Sequence, residues 1–461
     1  MTEKQSYPHP VAVIGAGPAG VFAARHLADA GLPVALINRD IRPGGLAEYG
    51  IYYDKYKMKL GLRKQFHRII DSPGIHYFGN VKVGEHGALS LTDLKEMGFK
   101  GIMVTVGAQG TKWLGLPGEH LDGVYHAKDL VYHYNQLPPY STQQYQIGEY
   151  VILIGAGNVM LDIARYCIRD LKVKTVTAVV RRGPADVKFD KKEMQAVIQN
   201  LNQEALDEEV RKAAPVMEAV GQDPVAAKAF ILSAVLQAEP TGSHTDFSFR
   251  FLSTPKAIIG DADGKVTGFE IEHTTLKLRE GSNGSGSTSA VGLGTTEVLK
   301  ADTVVFCIGD TVSSGLGLPV DRRGEYGKNP HPAFPVEGTS YEAYDEEHNQ
   351  PLEGIFLAGW AREASSGLVG TARKDGEKGA EALLNYLETL PQETRSPSAI
   401  GRLEEALSTQ VPPAVRNEDF LRLADAETAK AEELGIEYYK FNTNEEMLDA
   451  MGMLEMHINQ K

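Results

Sequence analysis

Two glycine-rich turns, each between an apolar strand and a helical run, constrain the fold of this chain more than any other feature of its sequence. The first turn follows the apolar run Val11–Ile14 and places Gly15, Gly17 and Gly20 at the spacing G-x-G-x-x-G. In this motif the first glycine permits a tight turn, the second lets a pyrophosphate approach the backbone, and the third lets the helix pack closely on the strand. Because the helix N-terminus then faces the phosphates, the turn predicts a dinucleotide site.

The second turn lies further along the chain, in the stretch YVILIGAGNVMLDIARYCI. Gly155 and Gly157 again follow an apolar strand, but Met160 stands at the third small position, where its bulk should loosen the contact between helix and strand. One such turn alone is a weak indication, because glycine-rich turns also occur without ligands. Two copies, each between a strand and a helix, indicate an α/β protein with two Rossmann-like, doubly wound dinucleotide-binding domains.

Two adjacent arginines end the strand that follows the second turn. Arg181 and Arg182 stand after TVTAVV, where the second strand of a Rossmann unit presents its tip to the adenosine ribose. An acidic residue there binds the free 2′-hydroxyl of NAD, whereas arginine accommodates the 2′-phosphate of NADP. Guanidinium groups suit phosphate because they donate paired, charge-assisted hydrogen bonds. A solvated basic pair is the alternative, but the position in the motif favours selection of NADP(H).

The composition disfavours several classes of function. The formal net charge of -14 argues against binding to nucleic acid or to an anionic membrane surface. No apolar run reaches the roughly 18 residues of a membrane helix. The N-terminus has neither a signal pattern nor a transit pattern, so we expect a cytoplasmic protein. The two cysteines, Cys167 and Cys307, lie far apart in apolar segments, which predicts buried inert thiols and no disulfide, iron–sulfur cluster or metal site.

Six stretches, in this order, carry a family resemblance: GAGPAG, RPGGLAEYGI, FGNVKVG, GAGNVMLDIAR, VVRRGPADVKF and GWAREASSGLVGT. Together they are similar to the adrenodoxin-reductase-like ferredoxin–NADP reductases, FAD enzymes related to the small subunit of glutamate synthase. Trp360 follows Ala-Gly where disulfide-reductase flavoproteins have an aspartate. The resemblance implies an NADP-binding domain at residues 109–300, inserted into an FAD-binding domain formed by residues 1–108 and 301–461, which ends in a helical extension.

The resemblance also implies which residues hold the two cofactors. The implied FAD residues are Gly15, Gly17, Ala19, Gly20, Asn38, Gly45, Leu46, Val83, Trp360, Gly367, Leu368 and Val369. The implied NADP(H) residues are Gly155, Gly157, Asn158, Val159, Arg181, Arg182 and Glu193. The serine- and glycine-rich loop before the last long helix supports the flavin assignment. Such a loop would set a helix N-terminus near the flavin, where it can stabilise the anionic reduced ring.

Several positions depart from the family pattern. Asn38 stands where the family usually has a glutamate that holds the adenosine ribose, and an amide can still bind hydroxyls. Glu48 reverses a charge, and Tyr52-Tyr53 replaces small and rigid residues. Lys55 occupies the position at which family members have a histidine. In those members the histidine is implicated in catalysis together with a glutamate that matches Glu193. Lys55 and Glu193 are therefore the catalytic candidates. A lysine supplies positive charge but shuttles protons poorly near pH 7 unless its pKa is strongly lowered.

A basic run occupies part of the same region in a chain that is otherwise acidic. The stretch DKYKMKLGLRKQFHR concentrates positive charge at Lys55, Lys57, Lys59, Arg63, Lys64 and Arg68. A solvated helix face is the common explanation of such a run. The alternative is a patch that docks an acidic ferredoxin- or flavodoxin-like electron carrier and that salt weakens.

These features predict an FAD-dependent oxidoreductase of the ferredoxin–NADP reductase type. A hydride would pass from NADPH to FAD, and single electrons would then pass to a ferredoxin-type carrier. One alternative is an electron-transfer subunit of a larger complex. The cysteine clusters usual in the glutamate synthase small subunit are missing, but a partner chain could carry them. The other alternative is a nucleotide-binding scaffold or sensor whose flavin never turns over, because a fold does not fix a function.

Overall fold

The computed structural model describes residues 9–279, 287–364, 367, 369–391 and 398–454. The chain divides into two compact units. The first unit contains the residues up to Thr111, the segment Tyr132–Thr142 and the residues from Gly309 onward, and the second contains Lys112–Val131 and Gln143–Ile308. The second unit is therefore inserted in the sequence of the first.

Short strands form the sheets of both units. Within the described residues they are β1 (Val11–Ile14), β2 (Val34–Ile37), β3 (Ile75–Phe78), β4 (Gly101–Val104), β5 (Gly110–Thr111), β6 (Val124–His126), β7 (Tyr150–Ile154), β8 (Thr175–Val179), β9 (Asp246–Arg250), β10 (Ser253–Gly260), β11 (Val266–Leu278), β12 (Thr288–Lys300), β13 (Thr303–Phe306), β14 (Asp310–Thr311), β15 (Glu342–Asp345) and β16 (Gln350–Leu357). The strands β1, β2, β4 and β13 are buried along their whole length. Apolar runs buried on both faces are typical of the central strands of a parallel sheet.

Helices connect these strands and form most of the C-terminal region. Within the described residues they are α1 (Pro18–Asp29), α2 (Leu46–Tyr49), α3 (Tyr56–Ile70), α4 (Leu91–Glu96), α5 (Ala127–Tyr134), α6 (Asn158–Tyr166), α7 (Lys191–Met194), α8 (Gln203–Ala219), α9 (Pro224–Leu232), α10 (Val369–Leu387), α11 (Ala399–Leu407), α12 (Asn417–Leu434) and α13 (Asn444–Ala450). A π-helical turn, Cys167–Leu171, continues α6. None of the helices that the structure describes is long and apolar enough to cross a membrane.

The first unit is built on a six-stranded sheet with the strand order β15-β16-β4-β1-β2-β3. Every neighbouring pair is parallel except β15 with β16. Successive residues of β1 enter opposite cores, since Val11 and Val13 pack with α1 and α10, whereas Ala12 and Ile14 pack with α4 and α11. Helices therefore cover both faces of the sheet, which confirms the predicted doubly wound fold.

The second unit combines a parallel sheet with an antiparallel one. The parallel sheet has the strand order β6-β13-β7-β8-β9, and the antiparallel sheet has the order β10-β11-β12. Phe269 and Ile271 of β11 share a hydrophobic cluster with Ile152 of β7 and Phe306 of β13. The antiparallel sheet therefore packs on the parallel one.

Both glycine-rich turns leave the carboxyl end of a central strand. β1 lies between β2 and β4, and β7 lies between β8 and β13, so the chain moves outward in opposite directions from each of these strands. In open α/β sheets, ligands bind outside the carboxyl ends of the strands at such a reversal point. The fold therefore puts each glycine turn where a dinucleotide site is expected.

The two C-terminal helices contribute to the core of the first unit. Phe420 and Leu423 of α12, and Met447 and Leu448 of α13, lie in the same hydrophobic cluster as one face of β1. Full burial of a large apolar side chain contributes roughly 1.5–3 kcal/mol. This part of the chain therefore stabilises the sheet that carries the first glycine turn.

The helices α1 and α10 pack closely because glycine occupies the contact positions. A Cβ on Gly376 of α10 would overlap the carbonyl oxygen of Ala19 in α1. A Cβ on Gly359, in the turn before α10, would lie 2.7 Å from the Cβ of Ala19. Since interiors are close-packed and cannot absorb such an overlap, α1 keeps this position only while both residues lack a side chain.

We expect Gly376→Ala to destabilise the first unit, because the new methyl group meets backbone atoms that cannot rotate away. Overpacking of this kind costs about 1–3 kcal/mol of the free energy of unfolding. Gly370→Ala is the matched control in the same helix, since a Cβ there meets nothing within 4 Å. The control should equal the wild type or exceed it by up to about 1 kcal/mol. Urea unfolding measures both, and equal stability of the two variants would contradict the described packing.

Candidate functional site

The first glycine turn has the backbone geometry that a pyrophosphate needs. Gly15 has a φ of 104°, and a Cβ there would lie 2.6 Å from the carbonyl oxygen of Thr105. The Thr105 hydroxyl donates to the carbonyl oxygen of Gly15 at 2.8 Å and fixes the turn. Gly17 caps α1 without a side-chain hydrogen bond, and α1 has no acidic residue in its first turn. The N–H groups at the start of α1 are therefore available to an anion.

A second pair of glycines faces this turn from the loop before α2. Gly44 and Gly45 have φ values of 120° and 49°, and the N–H of Gly44 donates to the carbonyl oxygen of Ala16 at 2.7 Å. A Cβ on Gly45 would lie 3.1 Å from the Cα of Gly17, whereas a Cβ on Gly17 would have no atom closer than 4.0 Å. Because backbone lines this slot from both sides, the residues present fit the pyrophosphate of the predicted FAD.

Asn38 supports the first turn from the tip of β2. Its Oδ1 accepts from the N–H of Ala16 at 3.0 Å, and its Nδ2 donates to the carbonyl oxygens of Asp40 at 2.8 Å and Arg42 at 3.0 Å. Both amide donors are used, and one lone pair of Oδ1 is left. In the predicted contact with the adenosine ribose, Asn38 would therefore accept a hydrogen bond from a hydroxyl and donate none.

The other predicted FAD residues also belong to the first unit. Ala19 and Gly20 lie in α1, and Leu46 is the first residue of α2. Val83 is a buried bridge residue, and Trp360 is half-buried in a helical turn. Gly367 lies two residues before α10, and Val369 is the first residue of that helix. Gly367 has a φ of 75°, which favours glycine. Leu368 lies outside the described residues. The contacts of this set with FAD stay predictions.

Asp375 of α10 is a residue of this site that the sequence analysis missed. Its carboxylate accepts from the N–H of Gly359 at 2.6 Å, from the guanidinium of Arg362 at 2.7 Å and from the hydroxyl of Tyr341 at 3.2 Å. These charge-assisted bonds tie the turn that carries Trp360 to α10. Arg362 and Asp375 are 13 residues apart and only Asp375 lies in α10, so no helical spacing in the sequence pairs them.

The charge reversal at Glu48 is compensated inside the first unit. The buried carboxylate accepts from Nε of Arg63 at 2.6 Å and from Nζ of Lys440 at 2.8 Å. Burial alone would raise the pKa of Glu48, but Lys440 and Arg63 beside it hold that pKa well below its usual range. Glu48 is therefore an ionised and paired group.

Two residues of the predicted docking patch are engaged with side chains inside the first unit, which corrects that prediction. Lys59 is buried and donates to the side chain of Asn135, and the guanidinium of Arg63 is engaged with Glu48. Lys59 and Arg63 precede the buried Phe66 by seven and three residues, which puts all three on the same face of α3. The interior of the unit, rather than a partner, therefore uses these two charges.

The exposed basic residues of the run form one stripe of α3. Lys57, Lys64 and Arg68 are exposed and recur at i, i+7 and i+11, which puts them within about 40° of one another around the helix. Lys55 is half-buried at the start of α3. We refer to Lys57, Lys64 and Arg68 as the basic stripe.

The second glycine turn has a similar opening in the second unit. Gly155 has a φ of 135°, and a Cβ there would overlap the carbonyl oxygen of Cys307. Gly157 caps α6 without a side-chain hydrogen bond, and a Cβ on Gly157 would meet nothing within 4 Å. Met160 is fully buried, whereas a Cβ at the equivalent Gly20 would overlap the first turn itself. The second turn is open to an anion and, unlike the first, leaves room for a side chain at its third small position.

The residues after the second turn are held by the loop before α7. Nδ2 of Asn158 donates to Oδ2 of Asp190 at 2.8 Å, and the N–H of Asp190 donates to Oδ1 of Asn158 at 2.7 Å. Val159 beside them is 42% exposed. Because the Asn158 side chain is used to position the turn, the backbone N–H groups at the start of α6 are the donors that would contact the predicted NADP(H).

The two arginines at the tip of β8 are not equivalent. Nη1 of Arg182 donates to Oδ1 of Asp186 at 2.9 Å, and Asp186 also accepts from Thr288 and Gln222. Arg181 is exposed, and within the described residues no ion pair of its side chain is found. Arg181 is therefore the more available guanidinium for a phosphate, and Arg182 is partly engaged in the structure of the unit.

The two catalytic candidates belong to different units. Lys55 lies in the first unit, in the short helical turn before α3. Glu193 lies in the second unit, half-buried in α7. Their catalytic roles stay predictions.

Comparison with known proteins gives both a family match and individual relatives. Residues 9–228 match the protein family described as pyridine nucleotide-disulphide oxidoreductase. The chain is 27% identical over 402 residues to the mitochondrial NADPH:adrenodoxin oxidoreductase of Arabidopsis thaliana, covering 79% of this chain and 80% of the relative. It is 28% identical over 417 residues to the NADPH-ferredoxin reductase FprA of Mycobacterium tuberculosis, covering 82% of this chain and 84% of the relative.

A solved structure is similar over almost the whole chain. The structure of Mycobacterium tuberculosis FprA in complex with NADPH matches with a TM-score of 0.76 and 25% sequence identity. The match covers 97% of this chain and 99% of that one. Both Rossmann-like units therefore have counterparts in one solved protein.

We expect Asn38→Asp to weaken both the first unit and its hold on FAD, because an isosteric carboxylate cannot donate to the carbonyl oxygens of Asp40 and Arg42. A buried acceptor left without its partner costs about 1–3 kcal/mol. Asn80→Asp is the matched control, since the side-chain amide of Asn80 donates to the carbonyl oxygen of Pro413 at 3.0 Å and contacts neither Asp40 nor Arg42 among the described hydrogen bonds. Urea unfolding and FAD titration measure both variants. If Asn38→Asp altered FAD affinity no more than the control, Asn38 would not support the turn.

Proposed function

We propose a function on the premise that the chain belongs to the adrenodoxin-reductase-like family of ferredoxin–NADP reductases. The protein is an FAD-dependent oxidoreductase that takes a hydride from NADPH and delivers single electrons to a ferredoxin-type carrier. One observation carries this proposal: two helix N-termini, at Gly17 and Gly157, are open and uncapped at the reversal points of two parallel sheets. Such a pair suits one protein that binds two dinucleotides.

The first unit would bind FAD mainly through backbone. The N–H groups of α1 would contact the pyrophosphate, and the slot between Gly17 and Gly45 gives it room. Gly367 and Val369 would set the N-terminus of α10 near the flavin, where the helix dipole favours negative charge on the reduced ring. Asp375 holds the turn of Trp360 against this helix. When bound, FAD accepts a hydride from NADPH and releases the electrons singly, which nicotinamide cannot do.

The second unit would select NADP(H) over NAD(H). The N–H groups of α6 would contact the nucleotide pyrophosphate, with Asn158 fixing the turn and Val159 packing on the nucleotide. Arg181 would bind the 2′-phosphate, with Arg182 beside it. The proposal also gives Lys55 and Glu193 catalytic roles. The domain boundaries would lie near residues 108 and 301, and the protein would be cytoplasmic.

The basic stripe would dock the electron carrier. Ferredoxin- and flavodoxin-like carriers of acidic surface suit a stripe of exposed cations on a chain whose net charge is -14. Lys57, Lys64 and Arg68 would steer the encounter, and Lys55 immediately precedes the same helix. Lys59 and Arg63 take no part, because both are engaged inside the first unit.

We expect Arg181→Gln to raise the KM for NADPH while leaving the KM for NADH nearly unchanged, because only NADPH carries the 2′-phosphate. Loss of a charge-assisted contact worth about 1.5–3 kcal/mol predicts a change of roughly 10- to 100-fold. Arg182→Gln should change the KM for NADPH less, since Arg182 already pairs with Asp186. The measurement is kcat/KM for ferredoxin reduction with each nucleotide. Equal effects on NADPH and NADH would exclude the NADP assignment, and no ferredoxin reduction by the wild type would exclude the function.

We expect Lys64→Glu to raise the KM for ferredoxin several-fold at low salt, with the difference vanishing at high salt as the charges are screened. Arg322→Glu is the matched control, because Arg322 is an exposed cation of the same unit outside the basic stripe. The KM for NADPH should stay unchanged in both variants. If both charge reversals raised the KM for ferredoxin equally, the carrier would not dock on the basic stripe.

A further inference from the structure

A segment without regular secondary structure, between α12 and α13, is held along its whole length by side chains of the first unit. We call residues 437–442 the latch. Glu437 accepts from the hydroxyl of Tyr56, and Tyr438 accepts from Arg63. The contacts of Lys440, Phe441 and Asn442 reach further parts of the unit: the carboxylates of Glu48 and Glu427 and the hydroxyl of Ser141. A loop fixed at so many points is a built element rather than a connection.

Lys440 is the centre of these contacts. Its ammonium donates to Oε1 of Glu48 at 2.8 Å and to the carbonyl oxygen of Asn135 at 2.8 Å, and it lies 4.1 Å from the ring centre of Tyr49. Only 4% of its side chain is exposed. A lysine is almost never so fully buried unless it is paired, which is the case here.

The partner of Lys440 is part of the turn that faces the FAD slot. Glu48 lies in α2, and its N–H donates to the carbonyl oxygen of Gly45 at 3.0 Å. Gly45 in turn faces Gly17 across the slot, while Gly44 donates to Ala16. A short helix of this kind has too few internal hydrogen bonds to fix its own position. The groups that hold Glu48 therefore help to fix the position of α2, together with buried Tyr49 and the Asn135 amide, which donates to the carbonyl oxygen of Tyr49 at 3.0 Å.

We propose that the latch positions α2 through the Lys440–Glu48 pair and so controls how tightly the first unit retains FAD, with Lys440 as a positioning residue. This inference rests on the proposed FAD site. FAD retention and latch docking would then be coupled. Loss of the latch would weaken FAD binding, and loss of FAD would loosen the latch by the same factor.

The latch cluster carries more positive than negative charge. Its basic members are Arg42, Lys59, Arg63 and Lys440, and its acidic members are Glu48, Glu427 and, at the exposed end of the latch, Glu437. Burial, together with the neighbouring cations, lowers the pKa of Lys440 to about 7, and burial lowers the pKa of Lys59 to about 8. Glu48 opposes the shift of both lysines but does not cancel it.

The lowered pKa of Lys440 determines how docking of the latch changes with pH. A released latch exposes Lys440, whose pKa then returns toward its ordinary value of 10.5, so the released state binds more protons than the docked state between about pH 7 and that value. Raising the pH above 7 therefore favours the docked latch, by up to about tenfold per pH unit. Below pH 7 both states hold the proton, and the dependence ends.

Hydrogen exchange and FAD titration test the proposal together. The probe is FAD, and the proteins are the wild type, Lys440→Met and the control Lys430→Met, whose exposed lysine pairs with Glu433 on α12. We expect Lys440→Met to raise the Kd for FAD about tenfold, within the usual range of such couplings. Protection of residues 437–442, corrected for intrinsic exchange, should rise from pH 7 to pH 9 in the wild type and in the control, and stay flat in Lys440→Met.

The wild type alone provides a second test that needs no variant. Removing FAD should lower the protection of the latch about tenfold and leave the middle of α12 unchanged. Unchanged latch protection on FAD removal, or an unchanged Kd for FAD in Lys440→Met, would overturn the latch. A wild type that binds no FAD would instead overturn the proposed function, so the two failures are distinguishable.

Discussion

The first turn of an α-helix leaves backbone N–H groups without intrahelical partners. In both units of this protein, the helix after the glycine-rich turn begins with such N–H groups, and no capping side chain bonds them in the part of the chain that the structure describes. Gly17 and Gly157 supply no side chain to satisfy these groups, and neither helix begins with an acidic residue. The surroundings keep each opening in place: Thr105 and Asn38 hold the first turn, and Asn158 with Asp190 holds the second. Since unpaired N–H groups are costly unless a ligand or water takes them, the two openings are understandable as anion sites.

Much of the fold could be predicted from local pattern. The two glycine-rich turns could be predicted because short-range sequence rules apply within a single strand–turn–helix unit. The glycine spacing, the fully apolar strands and the presence of Met160 at the third small position are all features of such units. The doubly wound sheet of the first unit follows from strands that are apolar on both faces, as Val11 to Ile14 are, and the structure confirms it. The position of Arg181 and Arg182 at a strand tip was likewise set by local order along the chain.

The rest could not be predicted because the partners are distant in sequence. Lys440 is 392 residues from Glu48, and no periodicity links the two. The prediction of a docking patch was wrong in part because it counted the charges of the basic run without considering which face of the helix each residue lies on. Lys59 and Arg63 share a stripe of α3 with buried Phe66, and that spacing was a signal that two of the cations point inward. What remained hidden in the sequence is chiefly the compensation of buried charge, which only the folded chain brings together.

Anaerobic mixing of the purified yellow protein with NADPH, and separately with NADH, tests most directly whether this protein passes a hydride from NADPH to its own flavin. Loss of flavin absorbance should be rapid with NADPH and slow with NADH, because only NADPH offers the 2′-phosphate that Arg181 is placed to bind. A faster reaction with NADH would contradict the nucleotide assignment. No loss of absorbance with either nucleotide, while FAD stays bound, would contradict the hydride route itself.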